Sequence, residues 1–184
     1  MTDWAKRTRP TPWLASAAAL MLVGCGTFSE PNEVITTCPT TVVLSPGETL
    51  ERYRENSQRD LTDLKLRARI GDLRQVCSIR IEERELEMDL ALQVLAERGP
   101  ATPQSEPQRL SYFVAVVDPE DRIVSREAFP LELAFPGNAR QAMFREELYL
   151  KVPVPAGRQV QDFRVVVGLQ LTRDELERAL AGKD

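Results

Sequence analysis

Two segments of this chain alternate apolar and polar side chains with a period of two. Leu64, Leu66, Ala68 and Ile70 are separated by Lys65, Arg67 and Arg69, and Leu86, Met88, Leu90, Leu92 and Val94 by Glu87, Asp89, Ala91 and Gln93. Successive side chains of a strand point to opposite faces, so each segment predicts a β-strand with one buried and one solvated side. Strands are also predicted over 42–44, 110–117, 123–135, 147–154 and 163–171; in the last, Phe163, Val165, Val167, Leu169 and Leu171 share a face. Turn chemistry separates them: Ser45-Pro46-Gly47-Glu48, Gly99-Pro100 opening a Pro-rich loop, Asp118-Pro119-Glu120-Asp121, Pro136-Gly137-Asn138 and Pro155-Ala156-Gly157. Six or seven strands joined by turns predict an all-β fold, an antiparallel sandwich.

The polar stretch 48–60 reads as a connection with room for a short helix. The strongest helix signal is Thr172-Arg173-Asp174-Glu175, a capping-box pattern followed by Leu176 and Leu180 one turn apart. It predicts a short C-terminal helix covering one end of the core, with the two leucines packed inward.

Charge follows the same alternation. If the strands at 64–70 and 86–94 pair antiparallel, Lys65, Arg67 and Arg69 face Glu85, Glu87 and Asp89 as a cross-strand ladder worth about 0.2–1 kcal/mol per pair. Glu82-Glu83-Arg84-Glu85 reads as a hairpin tip. Asp118, Glu120 and Asp121 offer oxygens but lack the ordered spacing of a calcium loop, and read as turn residues.

The N-terminus has a different pattern. Lys6, Arg7 and Arg9 precede an apolar segment over 14–23, about half the ~20 residues that a spanning helix needs. It closes on Leu22-Val23-Gly24-Cys25, which resembles the lipobox of bacterial lipoproteins. The resemblance implies signal-peptidase cleavage between Gly24 and Cys25, a diacylglyceryl group on the Cys25 thiol, and a further palmitate-type chain on the freed amino group. Several buried chains make a stable anchor where one is marginal. Gly26 stands where an Asp would mark inner-membrane retention, which implies the periplasmic face of the outer membrane. Residues 26–37 lack either periodicity and read as a flexible tether between the lipid and a single domain over 38–184.

Loss of residues 1–24 removes three basic and one acidic side chain, leaving 21 Lys and Arg against 27 Asp and Glu, a formal charge of −6. That acidity argues against nucleic acid as a partner, which needs a basic footprint. Of three cysteines, Cys25 takes the lipid, and an even pair in an extracytoplasmic compartment predicts a Cys38–Cys77 disulfide.

Chemistry beyond this is sparse. The chain has no His, which excludes Ser-His-Asp and Cys-His nucleophile activation and His-ligated zinc, and after the leader Lys occurs only at 65, 151 and 183. No phosphate-binding glycine motif surrounds Gly168 or occurs elsewhere. No catalytic residue, cofactor or metal site is expected.

Several segments of the body, Cys38-Pro39, Arg59-Asp60-Leu61-Thr62-Asp63, Cys77, Arg98-Gly99-Pro100-Ala101, Tyr112-Phe113-Val114-Ala115-Val116 and Val167-Gly168-Leu169-Gln170-Leu171-Thr172, resemble a group of small envelope lipoproteins of alphaproteobacterial type. The resemblance implies an Ig-like or fibronectin-like sandwich in the cell envelope and transfers no catalytic residue. The expected function is a non-enzymatic, lipid-anchored periplasmic module that binds an envelope partner or supports assembly, with the loop over 101–108 as candidate contact. The alternatives are a carrier of a small apolar ligand between the sheets and a carboxylate-dependent hydrolase.

Overall fold

The computed structural model describes residues 32–181 apart from 56, 58 and 59. Gly24, Cys25 and the tether as far as residue 31 lie outside them. The described chain forms β1 (Glu33–Ile35), β2 (Thr40–Val43), β3 (Thr49–Tyr53), β4 (Leu64–Arg80), β5 (Glu85–Arg98), β6 (Gln108–Val117), β7 (Ile123–Leu133), β8 (Gln141–Pro153), β9 (Arg164–Leu169) and one helix, α1 (Arg173–Ala181).

The strands make two sheets. In the first, β4, β5 and β8 lie side by side, and β1 and β3 share the outer edge of β4, β1 at its C-terminal end and β3 at its N-terminal end. The second has the order β2-β9-β6-β7. All pairs are antiparallel except β2 with β9, which is parallel. That departure from a purely antiparallel sandwich needs no tight turn, because the two strands come from opposite ends of the domain.

The core forms where the alternating faces meet. Leu66, Leu86, Met88 and Val94 from the first sheet and Tyr112, Val165 and Val167 from the second have no exposed surface. Burying a side chain of this size contributes about 1.5–3 kcal/mol. Tyr112 stacks on Phe129 across β6 and β7 with ring centroids 5.3 Å apart.

Several expectations change. The segment read as tether ends earlier: Glu33–Ile35 is a strand, and Ile81 N–H donates to the Asn32 carbonyl (2.9 Å) as Thr36 N–H does to that of Cys77 (3.0 Å). Backbone on the edge of β4 needs partners, and this short segment supplies them. The polar connection over 48–60 holds β3, with Leu50 buried on the core side; the helical turn is a 3₁₀ turn at Leu61–Asp63, capped by Asp60.

The charge ladder is also corrected. β4 continues past Ile70 through a register shift to Arg80, so Arg67 lies opposite Glu97, and Glu85 opposite Arg80. Lys65, Arg67 and Arg69 therefore sit at the far end of a long hairpin from Glu85, Glu87 and Asp89. Arg67 instead pairs with Glu51 (2.7 Å) and Glu97 (3.7 Å), and Lys151 of β8 with Glu85 and Glu87 (3.0 Å each). Gly71-Asp72 is the cause. It interrupts the alternation, which resumes in shifted phase at Leu73, Gln75, Cys77 and Ile79.

In α1 the capping box forms as expected, Thr172 Oγ1 accepting from Glu175 N–H (3.3 Å) and a Glu175 carboxylate oxygen from Thr172 N–H (2.7 Å). The leucine stripe does not pack inward. Leu176 and Leu180 are exposed, while Glu175 is buried and Arg178 and Ala179 are half-buried. The inward face of this helix is selected by an ion pair of Glu175 rather than by its leucines.

Candidate functional site

An open cleft of about 1020 Å³ lies at one end of the sandwich, between the end of β3, the start of β4, the Pro-rich loop and α1. Its lining includes Arg52, Arg54, Lys65, Glu106, Arg109, Glu175 and Arg178. Alternation explains the first of these. Arg52 lies two residues after Leu50 and opposite Leu66, so it faces inward at the rim, where the core gives way to solvent.

The Arg52 guanidinium donates from Nε to Glu175 (2.8 Å) and from Nη1 to the Arg109 carbonyl, joining β3, α1 and β6. Burial pushes the Glu175 carboxyl up, but the Thr172 N–H and the Arg52 guanidinium outweigh it and hold the group below the ordinary carboxylate range. Lys65 pairs with Glu106 (3.2 Å) and Arg109 with Glu132 (2.8 Å). The cleft is thus lined by charges of both signs, some of them matched, with Glu55, Asp174 and the Arg178 guanidinium in no ion pair among the described residues.

The Pro-rich loop over 101–108 forms one wall and is held firmly. Arg98 continues the inward series Val94, Ala96, and only 7% of its surface is exposed. Its guanidinium donates to the carbonyls of Gln104 (2.9 Å) and Ala139 (3.1 Å) and lies 5.5 Å from the Phe135 ring centroid. Thr102 Oγ1 donates to the Lys65 carbonyl (2.9 Å), and Gln104 Nε2 to that of Gly137 (2.7 Å). Gly99 opens the loop where a Cβ would stand 2.0 Å from the Leu64 carbonyl oxygen, so no larger residue fits that approach. The loop is a rigid wall, suited to presenting a fixed surface.

Cys38 and Cys77 are joined in a disulfide with Cα atoms 5.2 Å apart. Cys38 lies on the crossover from β1 to β2, that is, from one sheet to the other, and Cys77 faces the core from β4. Asp118, Glu120 and Asp121 are each engaged by arginines: Asp118 accepts from Arg122 Nε (2.7 Å) and from the backbone N–H groups of Glu120 (3.0 Å) and Arg122 (2.8 Å), Glu120 pairs with Arg122 and Arg158, and Asp121 with Arg164. This is a turn braced by ion pairs. Among the described residues, no three acidic or cysteine side chains group as metal ligands, and no helix is long and apolar enough to cross a membrane.

Sequence reasoning passed over Arg52, Arg98 and the Glu175 ion pair. The signal was present for two of them, since a charged residue in phase with an apolar strand face must find a partner at the rim. The partner of Glu175 lies 123 positions away and carries no local signal.

Fold and site together define a small disulfide-tied β-sandwich with a charged cleft at one end. No protein-family model, no curated protein and no solved structure matches the chain.

Proposed function

We propose that this chain is an extracytoplasmic binding module, tied to a membrane through lipid on Cys25 and presenting its cleft to an envelope partner. The observation that carries the reading is the Cys38–Cys77 disulfide in a chain whose one remaining cysteine ends a lipobox-like run. Disulfides persist in oxidising compartments, and a thiol in that context is the acceptor of a lipid.

The placement of the ends supports it. Asn32, where the described chain begins, bonds the β4–β5 hairpin tip through its side chain to Glu83 (3.1 Å) and to the N–H of Glu82 (3.1 Å). The cleft lies at the opposite end of β4, beside Lys65, at most about 50 Å away at the rise of a strand. Between Cys25 and Asn32 an extended chain reaches at most about 25 Å. Anchored at Cys25, the domain would hold its hairpin tip near the bilayer and its cleft away from it. Binding is the reading favoured for the most buried carboxylate of the cleft, Glu175, which is held by Arg52, and for Glu106, which pairs with Lys65.

A photo-crosslinking residue in place of exposed Arg54, compared in live cells with one in place of Ile81 at the hairpin tip, tests the cleft. A discrete adduct is expected from position 54, lost on Arg178→Glu with the fold unchanged by circular dichroism. Adducts of equal yield from both positions, or an adduct indifferent to Arg178→Glu, would remove the cleft as the contact.

A further inference from the structure

The outer edge of β8 carries no strand among the described residues, although β8 is thirteen residues long. Its pairing with β5 fixes which side chains face the other sheet: Phe144 lies opposite Val94, Glu146 opposite Leu92, and Leu148 opposite Leu90. Val94, Leu92 and Leu90 are buried in the core. The core-facing series of β8 is therefore apolar except at one position, and that position holds a carboxylate. Among the described residues it accepts one hydrogen bond from the core, from the Tyr112 hydroxyl at 3.2 Å.

The β7 edge of the second sheet repeats the pattern. Glu127 lies opposite the core residue Val114, and Pro130 interrupts the strand's donors. β5, β6 and β9 carry no charge in their core-facing series apart from Arg98 at the end of β5. Inward charges on edge strands discourage edge-to-edge pairing. On β8 the effect on a second copy is explicit: an antiparallel pair centred on Glu146 sets Glu146 against Glu146, and the neighbouring in-phase registers set it against Phe144 or Leu148. On the core side every such self-pairing leaves a carboxylate facing a like charge or an apolar side chain, although the register centred on Glu146 sets Arg145 opposite Glu147 on the solvated face.

A strand of another protein need not suffer this. We infer that the β8 edge accepts an extended segment of a partner protein that places a Lys or Arg beside Glu146 and apolar residues two positions to either side, against Phe144 and Leu148. Directly opposed side chains on adjacent strands lie about 4.5–5.5 Å apart at Cβ, close enough for the ion pair and for both apolar contacts. Backbone bonds along β8 supply affinity, and the alternate side chains supply the choice. Glu146 then does two things at once, rejecting copies of its own strand and selecting a basic one. The inference concerns a side of the sandwich separate from the cleft and holds whether or not Cys25 is lipidated.

The test uses the full chain and two fluorescent peptides, Val-Thr-Leu-Thr-Lys-Thr-Leu-Thr-Val and the same sequence with Glu for Lys, read by anisotropy. The Lys peptide should bind on the order of tenfold more tightly, Glu146→Lys should invert the order, and Glu146→Gln should bring the two within about twofold. Hydrogen exchange should show the outer amides of β8 newly protected by the Lys peptide. Failure of both peptides to bind at about 1 mM, protection elsewhere than β8, or an order unchanged by Glu146→Lys in a variant that melts cooperatively would overturn the inference. Glu146→Gln, which preserves shape, keeps the test decisive if the reversal does not fold.

Discussion

The two long flanks of the sandwich are finished in different ways. On the flank of β4 the chain itself laces the sheets together, passing from β1 in one sheet to β2 in the other and back to β3. The Cys38–Cys77 bond pins the first crossing, Gln75 Nε2 donates to the Pro39 carbonyl (3.0 Å) beside a Thr41–Gln75 side-chain bond, and Leu169 N–H donates to the Gly47 carbonyl on the return. On the flank of β7 and β8 no strand among the described residues covers the edge. Residues 123–128 of β7 are exposed on both faces, and Phe144, Leu148 and Leu150 of β8 are only half-buried. One flank is tied across the sheets by the chain and the disulfide, while the other carries charge at Glu127 and Glu146. The contrast teaches that an edge can be made safe without being closed, and an edge left open remains available.

If stability resides mainly on the laced flank, breaking it should cost most. Cys77→Ser should destabilise by about 4 kcal/mol, the value expected for closing a loop of this separation. Urea unfolding would read it, with reductant moving the wild-type midpoint to that of the variant and leaving the variant unmoved. An equal midpoint in wild type and variant would mean that the lacing holds without the bond.

Next in size is Glu175→Gln, which leaves the Arg52 guanidinium without its counter-charge at the β3 rim. A loss of about 2 kcal/mol at neutral pH is expected, as for a charge-assisted bond at a partly buried site. The sign with pH follows from the depressed Glu175 carboxyl. Its contribution is complete above the ordinary carboxylate value, where the unfolded chain is also ionised, and is lost as pH falls through the lower folded value. Wild type and variant should therefore converge in stability toward acid, measured by melts from about pH 7 down to pH 3. A gap that stays constant over that range would contradict the assignment.

The open flank should respond weakly. Tyr112→Phe removes the hydroxyl that meets Glu146 and keeps the ring on Phe129. About 1 kcal/mol or less is expected, because Glu146 at the half-exposed edge can take water instead. A cost matching that of Cys77→Ser would show that this flank bears load. The smallest change in stability, within about 0.5 kcal/mol, is expected for Glu146→Leu, but sedimentation should then show self-association through the unguarded strand. A monomeric variant would argue against charge as the protection of this edge.

Much of the fold was legible because period-two alternation is a local property. It located the strands whose core faces are Leu86 to Val94 and Phe163 to Leu171, and the turns at Gly137 and Gly157, whose positive φ values suit glycine. Register was not legible. The shift at Gly71-Asp72 moves every later pairing of β4, and nothing near Lys65 indicates that Glu97 rather than Glu85 will lie on its side of the hairpin. β1 and β3 were missed because three to five residues give too short a series to reveal a period, and their pairing partners lie on β4. The disulfide was legible from the even pair, Cys38 and Cys77, that is left once Cys25 is set aside as a lipid acceptor. The cleft was not, because Arg52, Lys65, Arg109 and Glu175 come together only through the fold.

Where the lacing begins is also where the function is proposed to begin, at the chain leading from Cys25 into the hairpin tip. The most direct measurement is metabolic labelling with an alkyne-bearing palmitate in live bacteria, comparing wild type with Cys25→Ser in membrane and soluble fractions. The account predicts a labelled, membrane-bound wild type and an unlabelled variant released from the membrane. Persistence of label and membrane association in Cys25→Ser would contradict it.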